Sequence, residues 1–497
     1  MSVSAILSID QGTTGSTCLV VGEDGSILGR AYSEFTQHFP RPGWVEHDAT
    51  EIWEVTRRVA REAISAAGDA DILGIGITNQ RETVVVWDRQ TLEPVHRAIV
   101  WQDRRTTAIC EEFKGAGHED EVRRRTGLVL DPYFTGTKLT WLLRENPELR
   151  ARAEAGELAC GTIDAWLISR LTGGVVHATD PTNASRTLLF SLETAAWDPY
   201  LLDLLEVPAA LLPEVRRSSG DFGVTMGDAL GLEVPVAGVA GDQQAALYGQ
   251  GCWSPGLAKN TYGTGAFMLL FTGDEPVPSA HGLLTTAACA RDGGLAFALE
   301  GSVFIAGAAI QWLRDGLGIL GSASESEEMA ASLDSNDGVY FVPAFVGLGA
   351  PHWEPEARGT IVGLTRGSTS AHLVRAALEA MAYGTLEVLQ AMEADSGVAA
   401  SELRVDGGAA LNDWLMRFQA GVLNIPVRRP QVVETTALGA AALAGLAVGV
   451  WPSAEDFRGA VSEADSFEPD MTEVHRGELL AGWHRAVRSV KLWAADG

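Results

Sequence analysis

The chain has few lysines and lacks several familiar catalytic motifs. Its four lysines are Lys114, Lys138, Lys259 and Lys491, and none is followed by Ser or Thr, which excludes a Walker A loop. The sequence contains no His-Glu-x-x-His and no Gly-x-Ser-x-Gly, so the zinc peptidase and serine hydrolase classes have no support. The five cysteines form no Cys-x-x-Cys pair and are far apart, as expected for reduced thiols in a cytoplasmic protein.

Basic charge and long apolar segments are also scarce. The formal net charge of −28 argues against nucleic-acid partners and anionic membranes, which would repel the chain. The longest apolar stretch, residues 437–450, is too short and too rich in glycine for membrane insertion, and it predicts a buried helix packed closely through Gly439 and Gly445. The first apolar run is interrupted by Asp10 and follows no charged segment, so we expect no targeting sequence.

One turn near the start of the chain combines a carboxylate, glycines and hydroxyls. The stretch Asp10-Gln11-Gly12-Thr13-Thr14-Gly15 lies between the apolar runs 5–9 and 18–21, which predict two strands. In such a turn the backbone amides and Thr hydroxyls can donate to phosphate oxygens, and the aspartate can hold Mg²⁺. An ordinary acidic hairpin is the alternative.

Related patterns recur later in the chain. Thr261-Tyr-Gly-Thr-Gly265 precedes another strand-like run, and residues 234–241 form an apolar strand that ends at Asp242. Residues 403–409 repeat a strand followed by glycines and open a predicted helix at 411–423. Carboxylates at strand ends point into the crevice where α/β folds bind ligands. With 497 residues, the chain is long enough for two large domains of duplicated α/β fold.

The order of these loops resembles the ATP-binding fold of actin and hexokinase, and within it the FGGY family of carbohydrate kinases. The stretch 133–143, with Phe134, Lys138 and Trp141, is similar to the first signature of that family, and residues 359–364 and 372–379 are similar to the second. The resemblance implies two duplicated actin-like (ribonuclease H-like) ATPase domains flanking a catalytic cleft. We expect an N-terminal domain at 1–250, a C-terminal domain at 257–450 and a helical extension at 451–497.

Four further stretches are similar to the glycerol kinases of the family: residues 42–48, 78–83, 180–187 and 241–245. This resemblance implies ATP-dependent phosphorylation of glycerol to sn-glycerol 3-phosphate, in glycerol uptake and catabolism. It further implies ATP and Mg²⁺ as cofactors and a homo-oligomer, either a dimer or a tetramer. Another sugar or polyol kinase of the same fold is one alternative, and a nucleotide-switched binding protein of the actin or chaperone type is another.

The substrate side is predicted around a turn between two strand-like segments. Arg81 offers donors beside the acceptor carboxylate of Glu82, and such a pair suits the hydroxyls of a polyol. A surface ion pair with three core aromatics is the alternative. The resemblance assigns the glycerol contacts to Arg81, Glu82, Trp101, Tyr133, Asp242, Gln243 and Phe267, with Asp242 as the catalytic base.

The resemblance also implies a nucleotide site. The positions that match contacts to phosphates or adenosine are Thr13, Thr14, Thr264, Gly307, Gln311, Gly408 and Asn412, and Asp10 matches the aspartate associated with Mg²⁺. Glycerol kinases commonly carry an arginine where this chain has Thr17, and Gly15 also departs from their pattern. In the loop 226–235, Asp228 and Glu233 replace the features that bind fructose 1,6-bisphosphate in some relatives, which predicts insensitivity to that effector.

Overall fold

The computed structural model describes residues 2–461 and 464–495. The first half of the chain holds fourteen strands: β1 Ser4–Gln11, β2 Gly15–Gly22, β3 Ile27–Glu34, β4 Gln37–His38, β5 Glu46–His47, β6 Asp71–Asn79, β7 Val84–Asp88, β8 Ala98–Ile99, β9 Leu158–Thr162, β10 Ala178–Thr179, β11 Phe190–Ser191, β12 Ala196–Trp197, β13 Glu214–Val215 and β14 Val236–Gly241. It also holds ten helices: α1 Ala49–Ala66, α2 Thr107–Gly115, α3 Glu119–Thr126, α4 Thr135–Glu145, α5 Pro147–Glu154, α6 Ile163–Leu171, α7 Pro181–Ala184, α8 Pro199–Leu204, α9 Gly227–Leu230 and α10 Asp242–Gly249.

The second half continues with strands and helices in the same style. Its strands in the described residues are β15 Leu257–Tyr262, β16 Ala266–Gly273, β17 Leu284–Cys289, β18 Leu295–Val303, β19 Tyr340–Val342, β20 Thr360–Val362, β21 Glu402–Gly407, β22 Val427–Pro430 and β23 Ala464–Phe467. Its helices are α11 Gly307–Gln311, α12 Glu325–Ala331, α13 Ser370–Ser396, α14 Asp413–Leu423, α15 Thr435–Val448, α16 Ala454–Ala460 and α17 Glu473–Ala495.

The two halves are built on sheets of the same topology. The first sheet has the strand order β3-β2-β1-β6-β14, with β1 antiparallel to β2 and parallel to β6. The second repeats this order as β18-β16-β15-β21-β22, with β15 antiparallel to β16 and parallel to β21, and adds β17 and β23 at its edges. The predicted α/β fold with two duplicated halves is confirmed.

Parallel pairing brings the functional turns of the first half to one sheet edge. Strands β1, β6 and β14 run parallel, so their carboxyl ends lie together. Asp10 lies near the end of β1, Arg81 and Glu82 follow β6, and Asp242 begins the helix that follows β14. Residues that are distant in the chain are thereby gathered at one edge.

Helix α15 belongs to the second half of the chain but packs on the first sheet. It contacts β1, β6, β14 and α10. A Cβ atom on Gly76 would overlap the backbone of Ala440, and a Cβ atom on Gly439 would overlap the carbonyl oxygen of Ala245. The predicted close packing through Gly439 is confirmed, and Gly445 similarly lies against the ring of Trp451.

Helix α10 begins at Asp242 itself, directly after the N-cap Gly241. The helix predicted to start at residue 411 begins two residues later in the structure. Helix α14 begins at Asp413 because the side chain of Asn412 caps it, accepting from the amide of Leu415 at 2.8 Å, while the preceding residues Gly408–Leu411 form a 3₁₀ turn. Within residues 2–461 and 464–495, every helix is too short or too polar to cross a bilayer.

Candidate active site

Two carboxylates mark the centre of the candidate site. Burial, and then repulsion by Asp242, raises the pKa of Asp10 to about 7. Burial also raises the pKa of Asp242, against the opposing effects of Arg81 and Lys259. The side chain of Asp242 stays 33% exposed, and its Oδ1 accepts from the amide of Gln243 at 2.7 Å. A partly accessible carboxylate with a raised pKa suits a group that must accept a proton.

Arg81 approaches Asp242 but binds another acid more tightly. Its Nε lies 3.4 Å from Asp242 Oδ1, whereas its Nη1 and Nη2 donate to Glu300 at 2.6 and 3.0 Å. Its Nε is 3.8 Å from Glu82 Oε1, and both side chains are buried, so the alternative of a surface ion pair between these two residues does not describe them. Arg81 binds Glu300 more tightly because Glu300, from β18 of the second sheet, offers both oxygens to the guanidinium in a bidentate pair.

Glu82 is held by a second arginine, Arg186. The Nε of Arg186 donates to Glu82 Oε1 at 2.7 Å and its Nη2 donates to Glu300 Oε1 at 3.0 Å. Glu82 has a left-handed backbone with φ of 62°, and its carbonyl accepts from Thr135 Oγ1 at 3.0 Å. Burial alone would raise the pKa of Glu300, but Arg186 and Arg81 hold it at about 2. Glu300 is therefore a permanent anion between two cations.

The predicted aromatic residues lie around this charged group. The rings of Trp101 and Tyr133 meet edge to face with centroids 5.6 Å apart, and Trp101 Nε1 donates to Thr13 Oγ1 at 2.9 Å. Trp101 thus joins the predicted glycerol side to the predicted phosphate turn. Lys138, buried beneath, donates from Nζ to the carbonyls of Tyr133 at 2.5 Å and Phe134 at 3.2 Å, which fixes the turn carrying Tyr133.

One face of the second sheet presents polar residues to this site. The register places Lys259 opposite Leu269, Thr261 opposite Phe267, and Leu269 opposite Glu300, so these side chains share a face. The buried Lys259 donates from Nζ to Gln243 Oε1 and to Thr261 Oγ1, the latter at 2.8 Å. Burial lowers the pKa of Lys259 to about 8. Phe267 lies on the same face, as its predicted role requires.

A cavity of about 560 Å³ lies at the end of the second sheet. Its walls include five residues predicted to contact nucleotide: Thr264, Gly307, Gln311, Gly408 and Asn412. Its apolar walls are Ile310, Leu378, Met381 and Leu411, and charged and hydroxyl side chains, among them Arg314 and Glu327, also line it. An apolar slot with a few polar groups is the usual form of a site for a flat base. The other two predicted nucleotide residues, Thr13 and Thr14, lie in the β1–β2 turn rather than in the walls of this cavity.

Glycine is required at particular points of the cavity. A Cβ on Gly307 would lie 2.6 Å from the carbonyl oxygen of Gly263. Gly407 has φ of 83° and its Cβ would overlap the backbone of Tyr262, whereas a Cβ on Gly408 would meet nothing within 4 Å. Gly407 is therefore needed for the turn, and Gly408 faces open space.

The residues around Asp10 fit a magnesium ion. Asp10 stands opposite Thr17 and Thr78 in the sheet, and the buried hydroxyl of Thr78 has no hydrogen-bond partner among the described residues. In the described part of the chain, no three metal-binding side chains converge. Mg²⁺ needs no such cluster, since it commonly takes one or two carboxylates together with water and substrate phosphates.

Three residues of the site were missed by sequence reasoning. Arg186 lies inside the stretch 180–187, whose similarity pointed to it, and Lys259 lies just before the second Gly-Thr turn. The role of Glu300 could not be predicted from its neighbours in the sequence, because a single acidic residue in the apolar strand β18 would be expected to face solvent.

Comparison with known proteins agrees with this architecture. Residues 5–249 match the N-terminal domain, and residues 258–448 the C-terminal domain, of the FGGY family of carbohydrate kinases. A glycerol kinase of Deinococcus radiodurans is 57% identical over 493 residues, covering 99% of this chain and 98% of that protein. One of Dechloromonas aromatica is 56% identical over 491 residues, covering 98% of each.

Solved structures show the same fold. The crystal structure of Plasmodium falciparum glycerol kinase with ADP matches with a TM-score of 0.94 and 35% identity over 98% of both chains. A xylulose kinase from Lactobacillus acidophilus matches with a TM-score of 0.88 and 20% identity over 99% of both chains, which shows a common fold. Because both family models match and relatives more than half identical cover nearly the whole sequence, the chain belongs to the FGGY family of carbohydrate kinases.

Proposed function

We propose that this protein transfers the terminal phosphoryl group of ATP to a terminal hydroxyl of glycerol, giving sn-glycerol 3-phosphate and ADP. The observation that carries the proposal is Asp242, a partly exposed carboxylate with a raised pKa, 3.4 Å from Arg81 at the strand edge that Trp101 and Tyr133 border. The similarity to the two bacterial glycerol kinases and to the Plasmodium glycerol kinase crystallised with ADP supports the same activity.

Each predicted contact has a role in this reaction. Arg81 donates to glycerol hydroxyls and Glu82 accepts from them, while Trp101, Tyr133 and Phe267 cover the carbon faces and limit the size of the acceptor. Gln243, whose side-chain oxygen accepts from Lys259, offers its amide nitrogen to a hydroxyl. Asp242 accepts the proton of the attacking hydroxyl late in a loose transition state, where positioning supplies most of the rate.

The nucleotide side completes the proposal. The adenosine lies in the cavity of the second half, and the turns carrying Thr13, Thr14 and Thr264 donate to the phosphates. Asp10 would hold Mg²⁺, which when bound neutralises phosphate charge. Thr17 cannot contribute the positive charge of the arginine found in many relatives, so we expect weaker nucleotide binding than in those proteins.

The test is ADP release from ATP with glycerol, with xylulose, with gluconate and with no acceptor. We expect glycerol to stimulate ADP release manyfold over the other three conditions, because Arg81, Glu82 and Asp242 are arranged to bind and deprotonate a polyol hydroxyl. Equal rates with and without glycerol would favour a nucleotide-switched binding protein. Preference for xylulose or gluconate would indicate another carbohydrate kinase of this fold.

Three further expectations belong to this proposal. We propose domain limits at 1–250, 257–450 and 451–497, a cytoplasmic location, and association into a homodimer or homotetramer. The activity assay is independent of all three, and sedimentation of the purified protein tests the last.

A further inference from the structure

Four charged side chains of the site form a closed ring, which we call the charge ring: Arg81, Glu82, Arg186 and Glu300. Charges alternate around it, and each member is at most 4% exposed. Its contacts are Arg81 to Glu300 at 2.6 Å, Glu300 to Arg186 at 3.0 Å, Arg186 to Glu82 at 2.7 Å, and Glu82 to Arg81 at 3.8 Å. The ring is neutral as a whole, so its charges can be buried only together.

The ring joins the two halves of the chain. Three members follow strands or helices of the first half, whereas Glu300 lies in β18 of the second sheet. Its partners Arg81 and Arg186 are separated from it by 219 and 114 residues. Glu300 is thus the one member through which the second half acts on the substrate residues Arg81 and Glu82.

Glu300 also competes with Asp242 for Arg81. It occupies both Nη groups of the arginine and leaves Nε directed to Asp242 Oδ1 at 3.4 Å. A guanidinium without this partner would rotate to form a bidentate pair with the nearest free carboxylate, and Asp242 is that carboxylate. Such a pair would stabilise the charged form of Asp242 and make it a poorer proton acceptor.

We propose that Glu300 is a positioning residue for the phosphoryl transfer. It fixes Arg81 for glycerol, keeps that arginine from forming a bidentate pair with Asp242, and holds Arg186, which in turn orients Glu82. Glu300 contacts no substrate in this scheme and acts only through the two arginines. The inference rests on the proposed function, which the acceptor assay tests separately.

The decisive variant is Glu300→Gln, which keeps the shape of the side chain and removes its charge. We expect kcat/KM for glycerol to fall by about a hundredfold, with a rise of about tenfold in the KM for glycerol and a change below about twofold in the KM for ATP. The matched control is Glu379→Gln, which removes a buried acid paired with Arg375 at 2.8 Å in the same half. That variant should lose thermal stability but keep the KM for glycerol within about twofold.

A second variant covers the case in which Glu300→Gln does not fold. Arg186→Lys keeps the charge of the ring but cannot bridge Glu82 and Glu300 with a planar fork, so the KM for glycerol should rise by roughly threefold or more. An unchanged KM in whichever variant folds, or equal changes in Glu300→Gln and Glu379→Gln, would overturn the inference. Wild-type protein without glycerol-dependent ADP release would instead refute the proposed function.

Discussion

Asp242→Asn tests the proton-accepting role that we propose for the central carboxylate. The amide keeps an oxygen that can accept from the amide of Gln243, as Asp242 does at 2.7 Å, so the start of α10 should be preserved. Because burial raises the pKa of Asp242, its charged form costs stability at neutral pH, and the variant should melt no lower than the wild-type protein. A loss of activity would then not come from unfolding.

The expected loss lies in kcat. General-base contributions are typically ~10² to 10⁴-fold, which corresponds to about 3 to 5 kcal/mol of the activation barrier. Steady-state ADP release at saturating ATP, over a series of glycerol concentrations, separates kcat from KM. The comparison variant is Glu82→Gln, which should raise the KM for glycerol at least as much as it lowers kcat, since we propose that Glu82 only positions the substrate.

The result that refutes this reasoning is specific. If Asp242→Asn kept a kcat near that of the wild type, or if the two variants exchanged their patterns, Asp242 would be a substrate anchor. Another group would then accept the proton of the attacking hydroxyl, and the roles of the residues along β14 and α10 would have to be reassigned.

Four other predictions concern stability, metal, packing and regulation. Asp164 is fully buried, and burial and Asp180 raise its pKa to about 7. The wild-type protein should therefore lose stability as the pH rises from about 4 to about 7, where this carboxyl group ionises. In denaturation experiments, Asp164→Asn should have a free energy of unfolding up to about 4 kcal/mol above that of the wild type at pH 8, with a smaller gain at pH 5. Asp10→Asn should raise the Mg²⁺ concentration for half-maximal ADP release by about tenfold, and an unchanged Mg²⁺ titration would contradict Asp10 as a ligand. Gly439→Ala should destabilise by about 1 to 3 kcal/mol because its methyl overlaps Ala245, whereas Gly459→Ala, which meets nothing within 4 Å, should not lower the melting temperature. Millimolar fructose 1,6-bisphosphate should leave activity unchanged, since Asp228 and Glu233 would repel it; strong inhibition would show otherwise.

Local chemistry in the sequence was sufficient to find most of the fold. The runs around Asp10 were predicted as strands because they are short, apolar and contain β-branched residues, and they form β1 and β2 as expected. The position of Asp242 after an apolar strand placed it at the sheet edge. Helix starts were less accurate, since Asn412 acts as a cap that the glycines before it obscured.

Pairing between distant residues could not be derived from local patterns. Arg81 and Glu82 are neighbours in the chain, which favoured an ion pair between them, but each binds a partner more than 100 residues away. The choice depends on which side chains the two sheets bring together, and a single sequence does not record that. The sequence showed only that Lys259 does not belong to a Walker A loop. Its contact with Gln243 depends on the same long-range packing.

The return of α15 to the first sheet has a consequence for any attempt to divide this protein. A cut in the linker between α10 and β15 separates the chain at its sequence midpoint, but it leaves α15 on the wrong fragment. The N-terminal fragment would then expose the backbone surface at Gly76 and Gly238 that α15 covers. We therefore expect the fragment 1–250 to be unstable when expressed alone and to gain stability when the fragment that carries α15 is co-expressed, because that helix covers its sheet.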